Sequence, residues 1–129
     1  MTRSIKITIL WLLTVCGFAA HSICDVLPMF WGKNMVVAAT DGNVDQGMIV
    51  FMMTLSYLIP ACGIFCMLWK AKALKVINAV LAVLIGLFNI AHAFMELPSD
   101  NQGQYVVMPM MIIVGLVLAW YSIKYVRED

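Results

Sequence analysis

The sequence predicts an all-α membrane protein, four transmembrane helices in an up-down-up-down bundle with the N and C termini cytoplasmic. Three observations predict it. Of 129 residues 64% are apolar and only 12% charged, and mean hydropathy is +0.95, against roughly 45–50% apolar and about 25% charged in a soluble domain. The apolar residues gather into four segments, each near the ~20 residues needed to cross a bilayer. Basic residues fall almost entirely on one side of the resulting layout.

The first helix is expected over about 5–31. Arg3 and Lys6 followed by an apolar run resemble a signal peptide, but the run continues to Trp31. Phe18 stands where the Gly17-Phe18-Ala19-Ala20 stretch would need a small residue for cleavage, so an uncleaved helix is predicted. The second, 47–69, carries no charge and holds Pro60. The third, 74–97, follows a Lys-rich turn. The fourth, 104–125, holds Pro109. Segments of this length are helical, because an open strand leaves its backbone unpaired in lipid. Each proline removes a backbone donor and is expected to kink its helix and widen the outer cavity. The whole chain, 1–129, is one integral membrane domain.

Arg3, Lys6, Lys70, Lys72, Lys75, Lys124 and Arg127 lie on one side of this layout and only Lys33 on the other. In short loops such an asymmetry places the basic side in the cytoplasm. The 70–75 turn and both ends are therefore cytoplasmic, the 32–46 and 98–103 loops outward, and the expected home is a bacterial inner (plasma) membrane. Trp31, Trp69, Trp120, Tyr121 and Tyr125 sit near segment ends, as interfacial aromatics do. The outer 32–46 loop contains Met35-Val-Val-Ala-Ala39, apolar enough to cap a cavity or merely to connect.

Cys16 and Cys24 fall in the first segment, Cys62 and Cys66 in the second. No Cys-x-x-Cys occurs, and helical i,i+4 cysteines are poorly placed for a disulfide. All four are read as small buried apolar residues.

The two halves share a pattern. His21-Ser-Ile-Cys-Asp25 matches His92-Ala-Phe-Met-Glu96, and Asp45-Gln46-Gly47 matches Asn101-Gln102-Gly103. The expectation is two parallel helical hairpins, an internal repeat about an axis along the membrane normal.

The two His-x-x-x-acid pairs are the most informative feature. Residues at i and i+4 share a helix face, so His21 and Asp25 project together from the first helix, and His92 and Glu96 from the third. Thr14, Gly17, His21 and Asp25 form one stripe, and Asn78, Asn89, His92 and Glu96 the other. Ionisable groups in a membrane cost about 2.5–3.5 kcal/mol each at the centre of the bilayer, and they face the bundle interior and pair. An outward-facing polar pocket lined by His21, Asp25, His92 and Glu96 is predicted, with Asn89 beside it and Tyr57 and Tyr105 contributed by the even-numbered helices.

Several functions remain open for such a pocket. It can bind or transport a small molecule, lipid or ion, with proton coupling through its histidines and carboxylates. It can instead be internal glue in a structural or accessory subunit. His21, Asp25, His92 and Glu96 also make a set of two nitrogen and two oxygen ligands acceptable to a divalent metal, and two histidines at equal depth are a candidate axial pair for haem; the default expectation is no cofactor. No catalytic set stands out, so enzyme status stays open with a non-enzyme favoured. A net charge of +1 gives no field for nucleic acid. The expected partners are the lipid bilayer and a second copy or another membrane protein.

Overall fold

A computed structural model describes residues 1–36 and 40–128. Among them the chain is all helical, with four helices long and apolar enough to cross a membrane. These are α1 (Arg3–Trp31), α2 (Gln46–Cys66), α3 (Lys72–Glu96) and α4 (Gln104–Val126). Of the apolar stretch 35–39, residues 37–39 lie outside the described residues, and the choice between cap and connector lies outside them too.

Local chemistry sets the ends. Thr2 accepts from the Ile5 N–H through its hydroxyl and starts α1. The last turn of α1, Leu27–Trp31, tightens to 3-10 form and stops at Gly32, whose φ of 77° favours glycine. Asp45 caps α2 by accepting from the Met48 N–H at 3.0 Å. Pro98 follows the end of α3 closely, consistent with the helix-ending effect of an X-Pro step. In the α1–α2 connection the Asn43 backbone N–H and side-chain amide hold the Asp41 carboxyl below its usual range.

The helices meet along narrow stripes. In α1 the buried positions are Ile7, Trp11, Thr14, Phe18, His21 and Cys24. In α4 they run Gln104, Met108, Met111, Gly115, Leu118, Ser122 and Tyr125. Steps of three and four are the spacing of bundle seams. α4 packs against both α1 and α3, and the second half of α2 packs against the same two helices.

Small residues allow close approach, which matters in lipid because packing replaces the hydrophobic driving force. A Cβ added to Gly115 would lie 3.1 Å from the Gly86 Cα, so α3 and α4 touch backbone to backbone. About two turns nearer the termini, a buried chain of hydrogen bonds crosses three helices. Trp11 Nε1–H donates to Asn78 Oδ1 at 2.7 Å, and Asn78 Nδ2 donates to Ser122 Oγ at 2.9 Å.

Both termini lie at one end. Arg3 pairs with Glu128 at 2.6 Å, Lys75 Nζ donates to the Glu128 carbonyl at 2.5 Å, and Ser4 Oγ donates to the Met67 carbonyl at 3.3 Å. Lys75 also lies over the Tyr125 ring and Lys124 over Trp120, contacts that help a cation at a membrane surface.

α2 departs from expectation. Its first half, Gln46–Met53, has no buried residue, and its buried positions are Pro60, Gly63 and Cys66. Between the halves, Thr54–Leu58 is π-helical, with the Ile59 N–H reaching back to Thr54 O. Pro60 has no N–H to offer one turn back, and a π-bulge is one way a helix absorbs such a gap. Thr54 and Ser56 donate to the Val50 and Met52 carbonyls, a pattern that bends helices. Pro60 therefore marks the place where α2 leaves the bundle, whereas Pro109 sits within one continuous α4.

The cysteines divide. All four are free; Cys24 and Cys66 are buried as expected, but Cys16 and Cys62 are exposed on the outer faces of their helices. Cysteine is apolar enough to face lipid as readily as core, so burial cannot be read from residue type in a segment that is apolar all round.

Candidate functional site

At the end opposite the termini, the histidines of α1 and α3 meet. His21 Nε2 and His92 Nε2 are 3.1 Å apart, with the rings edge to face and their centroids 4.9 Å apart. One nitrogen of each histidine and a Glu96 oxygen lie within 4.8 Å of one another. Asp25 Oδ2 is 3.4 Å from His21 Nε2, one turn along the same helix. His21 is buried at 6% exposure, while Asp25, His92 and Glu96 are half-buried.

The floor of this cluster is aromatic. His92 stacks on Phe88 one turn back, with centroids 5.3 Å apart and planes 11° apart. Phe88 in turn meets Phe18, 6.2 Å away on α1. These rings fix the plane of His92 and fill the space beneath the two imidazoles.

A residue that sequence reasoning missed completes the arrangement. Gln104, 1% exposed, opens α4 and places its side chain between Asp25 and His21. Its Nε2 donates to Asp25 Oδ1 at 2.6 Å, and its Oε1 is 2.9 Å from His21 Nδ1. The α3–α4 connection seats it. Asn101 Nδ2 donates to the Cys24 carbonyl at 2.6 Å, and Asn101 Oδ1 accepts from the Gly103 N–H at 3.1 Å and from Cys24 Sγ at 3.3 Å. Gly103 packs directly on Cys24, with no room for a Cβ. The one available signal was a glutamine in the first turn of an otherwise apolar helix.

The other expected residues lie elsewhere. Asn89 is buried but joins α3 to α4, donating from Nδ2 to the Met111 carbonyl at 3.1 Å; its Oδ1 is the buried side-chain atom left without a partner among the described residues. Tyr105 uses its hydroxyl to accept from the Ser99 N–H at 3.1 Å and is 44% exposed. Tyr57 is 67% exposed and does not line the site, because it sits in the π-helical stretch where α2 leaves the bundle. The site is thus built from α1, α3 and α4. A cavity of about 500 Å³ at the same end is lined by Cys24, Trp31, Lys33, Asn101 and Gly103 among others, and its lining includes neither histidine.

The electrostatics are one-sided. Among the described residues neither Asp25 nor Glu96 pairs with a lysine or arginine, and the contact of Asp25 with His21 is an ion pair only when that histidine is protonated. The geometry also bears on haem: its two axial nitrogens must stand on opposite faces of the macrocycle, whereas these two touch.

Compared with known proteins, the chain matches no family model, no curated protein and no solved structure.

Proposed function

We propose that this chain is an inner-membrane protein whose His–carboxylate site binds a small cation, or the cationic group of a small molecule, from the outer side. The observation that carries this reading is the convergence of Asp25 and Glu96 on His21 and His92 with no lysine or arginine to balance them. Uncompensated carboxylates in a partly desolvated site are costly, and a cation relieves that cost. Orientation rests on the basic residues: the end that bears Arg3, Lys6, Lys75 and Lys124 belongs in the cytoplasm, which directs the histidines outward in an up-down-up-down bundle. The proposed internal repeat adds nothing to this reading, since Gln104 has no counterpart from α2 in the site.

A thermal-shift panel on detergent-purified protein tests it, with Na⁺, K⁺, Mg²⁺, Ca²⁺, Zn²⁺ and tetramethylammonium as probes. At least one should raise the melting temperature of the wild type and not that of Asp25→Asn/Glu96→Gln. If no probe separates the two proteins, the cation reading fails.

A specific observation favours a second reading. The bonds His21–His92, His21–Gln104 and Gln104–Asp25 all cross between helices, as they would in a structural or accessory subunit held together by internal polar contacts. Such contacts average about 0.6 kcal/mol each in membranes. This reading expects the double variant to melt earlier while no cation discriminates.

A further inference from the structure

The geometry points to a divalent-metal site with His21, His92 and Glu96 as ligands and the Asp25–Gln104 pair as its positioning shell. It rests on the cation-site reading above and names the cation class.

A carboxylate only accepts hydrogen bonds, so the Gln104 atom 2.6 Å from Asp25 Oδ1 is the amide nitrogen. The other end of that amide is then an oxygen, and it faces His21 Nδ1 at 2.9 Å. An oxygen accepts, so Nδ1 carries the proton. Neutral His21 is left with a bare lone pair on Nε2, the tautomer that ligates metals. A ligating histidine almost always donates its other N–H to an acceptor that is itself held. Here the acceptor is an amide and its holder a carboxylate.

That lone pair faces the second candidate ligand. Two nitrogens each about 2.0–2.1 Å from a tetrahedral zinc stand about 3.3 Å apart, and His21 Nε2 and His92 Nε2 are 3.1 Å apart. Without an ion, His92 Nε2–H donates to His21 Nε2. On binding, that proton transfers to His92 Nδ1, so both rings stay neutral and no net proton is lost. Glu96, one turn from His92 and half-buried, closes the third position by rotating toward the nitrogens, from which one of its oxygens is no more than 4.8 Å. A set of two histidines and one carboxylate, with a fourth position free, suits zinc or a similar first-row ion, and Ca²⁺ and Mg²⁺, which prefer all-oxygen shells, suit it poorly. The charge also balances: two carboxylates and one divalent ion sum to zero.

The test uses untagged, chelator-stripped protein in detergent, with Zn²⁺ and Co²⁺ each added alone. Retained metal is read after gel filtration, and the ligand field of cobalt from its visible spectrum. The wild type should hold one ion per chain, with a tetrahedral cobalt spectrum. His92→Gln and Glu96→Gln should each lose at least tenfold in affinity, and Cys16→Ser/Cys62→Ser should lose nothing. Gln104→Leu should weaken binding about 10–100-fold and alter the cobalt spectrum. Asp25→Asn/Gln104→Glu, which reverses the relay while keeping an acceptor on His21 Nδ1, should recover most of the loss. Absence of a stoichiometric ion in the wild type overturns the assignment, as does binding indifferent to His92 and Glu96. If zinc and cobalt fail while another cation still separates wild type from Asp25→Asn/Glu96→Gln, only the metal assignment falls. If no cation binds, both fall.

Discussion

The Trp11 indole occupies the space that a side chain at Gly63 would need. A methyl added at Gly63 would overlap the ring, and the ring cannot swing away, because it is fully buried and its N–H is held by Asn78. Gly63→Val should destabilise the folded protein by about 1–3 kcal/mol, the usual cost of overpacking. Unfolding in mixed micelles measures it, and a stability equal to wild type would contradict the contact.

The two buried asparagines of α3 should differ. Asn78 is satisfied on both sides, by Trp11 and Ser122. Asn89 makes one bond and leaves its Oδ1 unpaired. At about 0.6 kcal/mol per membrane hydrogen bond, Asn78→Ala loses roughly 1 kcal/mol on this account and Asn89→Ala less. The same unfolding assay should rank them in that order.

The Arg3–Glu128 pair should matter little. Both side chains are partly exposed, and such pairs contribute about 0.2–1 kcal/mol, screened by salt. Glu128→Gln should shift melting only slightly and less still at high ionic strength. A large loss would mean that the ends do more than pair.

Cysteine labelling checks the faces and the orientation. A lipid-soluble maleimide should label Cys16 and Cys62 faster than Cys24 and Cys66, following exposure. In a cysteine-free background, an impermeant maleimide should reach Ser99→Cys only from the outer side and Lys70→Cys only from the inner side. The opposite result would invert the topology.

The four spans were legible because length and hydropathy alone decide a membrane crossing. Observed and expected boundaries agree to within two residues, except the α2 end, which comes three residues earlier than expected. The i,i+4 spacing made legible that His21 shares a face with Asp25 and His92 with Glu96, and the cost of ionisable groups in lipid made legible that both faces turn inward. Tyr57 was misplaced because α2 is apolar all round, so nothing in its pattern reveals which part packs. Gln104 was missed because a glutamine in a first turn looks like an ordinary helix boundary; its role depends on Asn101 and Gly103 docking onto Cys24 across 77 residues of chain, which no local pattern encodes.

The seven residues between Glu96 and Gln104 set the rotational phase of α4. Each residue turns a helix by about 100°, so adding or deleting one in this connection forces a choice: α4 rotates, carrying Gln104 away from His21 and the Met108–Gly115 seam away from its neighbours, or the clasp on Cys24 opens. The same short span thus times the chemistry at one end of the helix and the seam along its length, and neither can drift without the other.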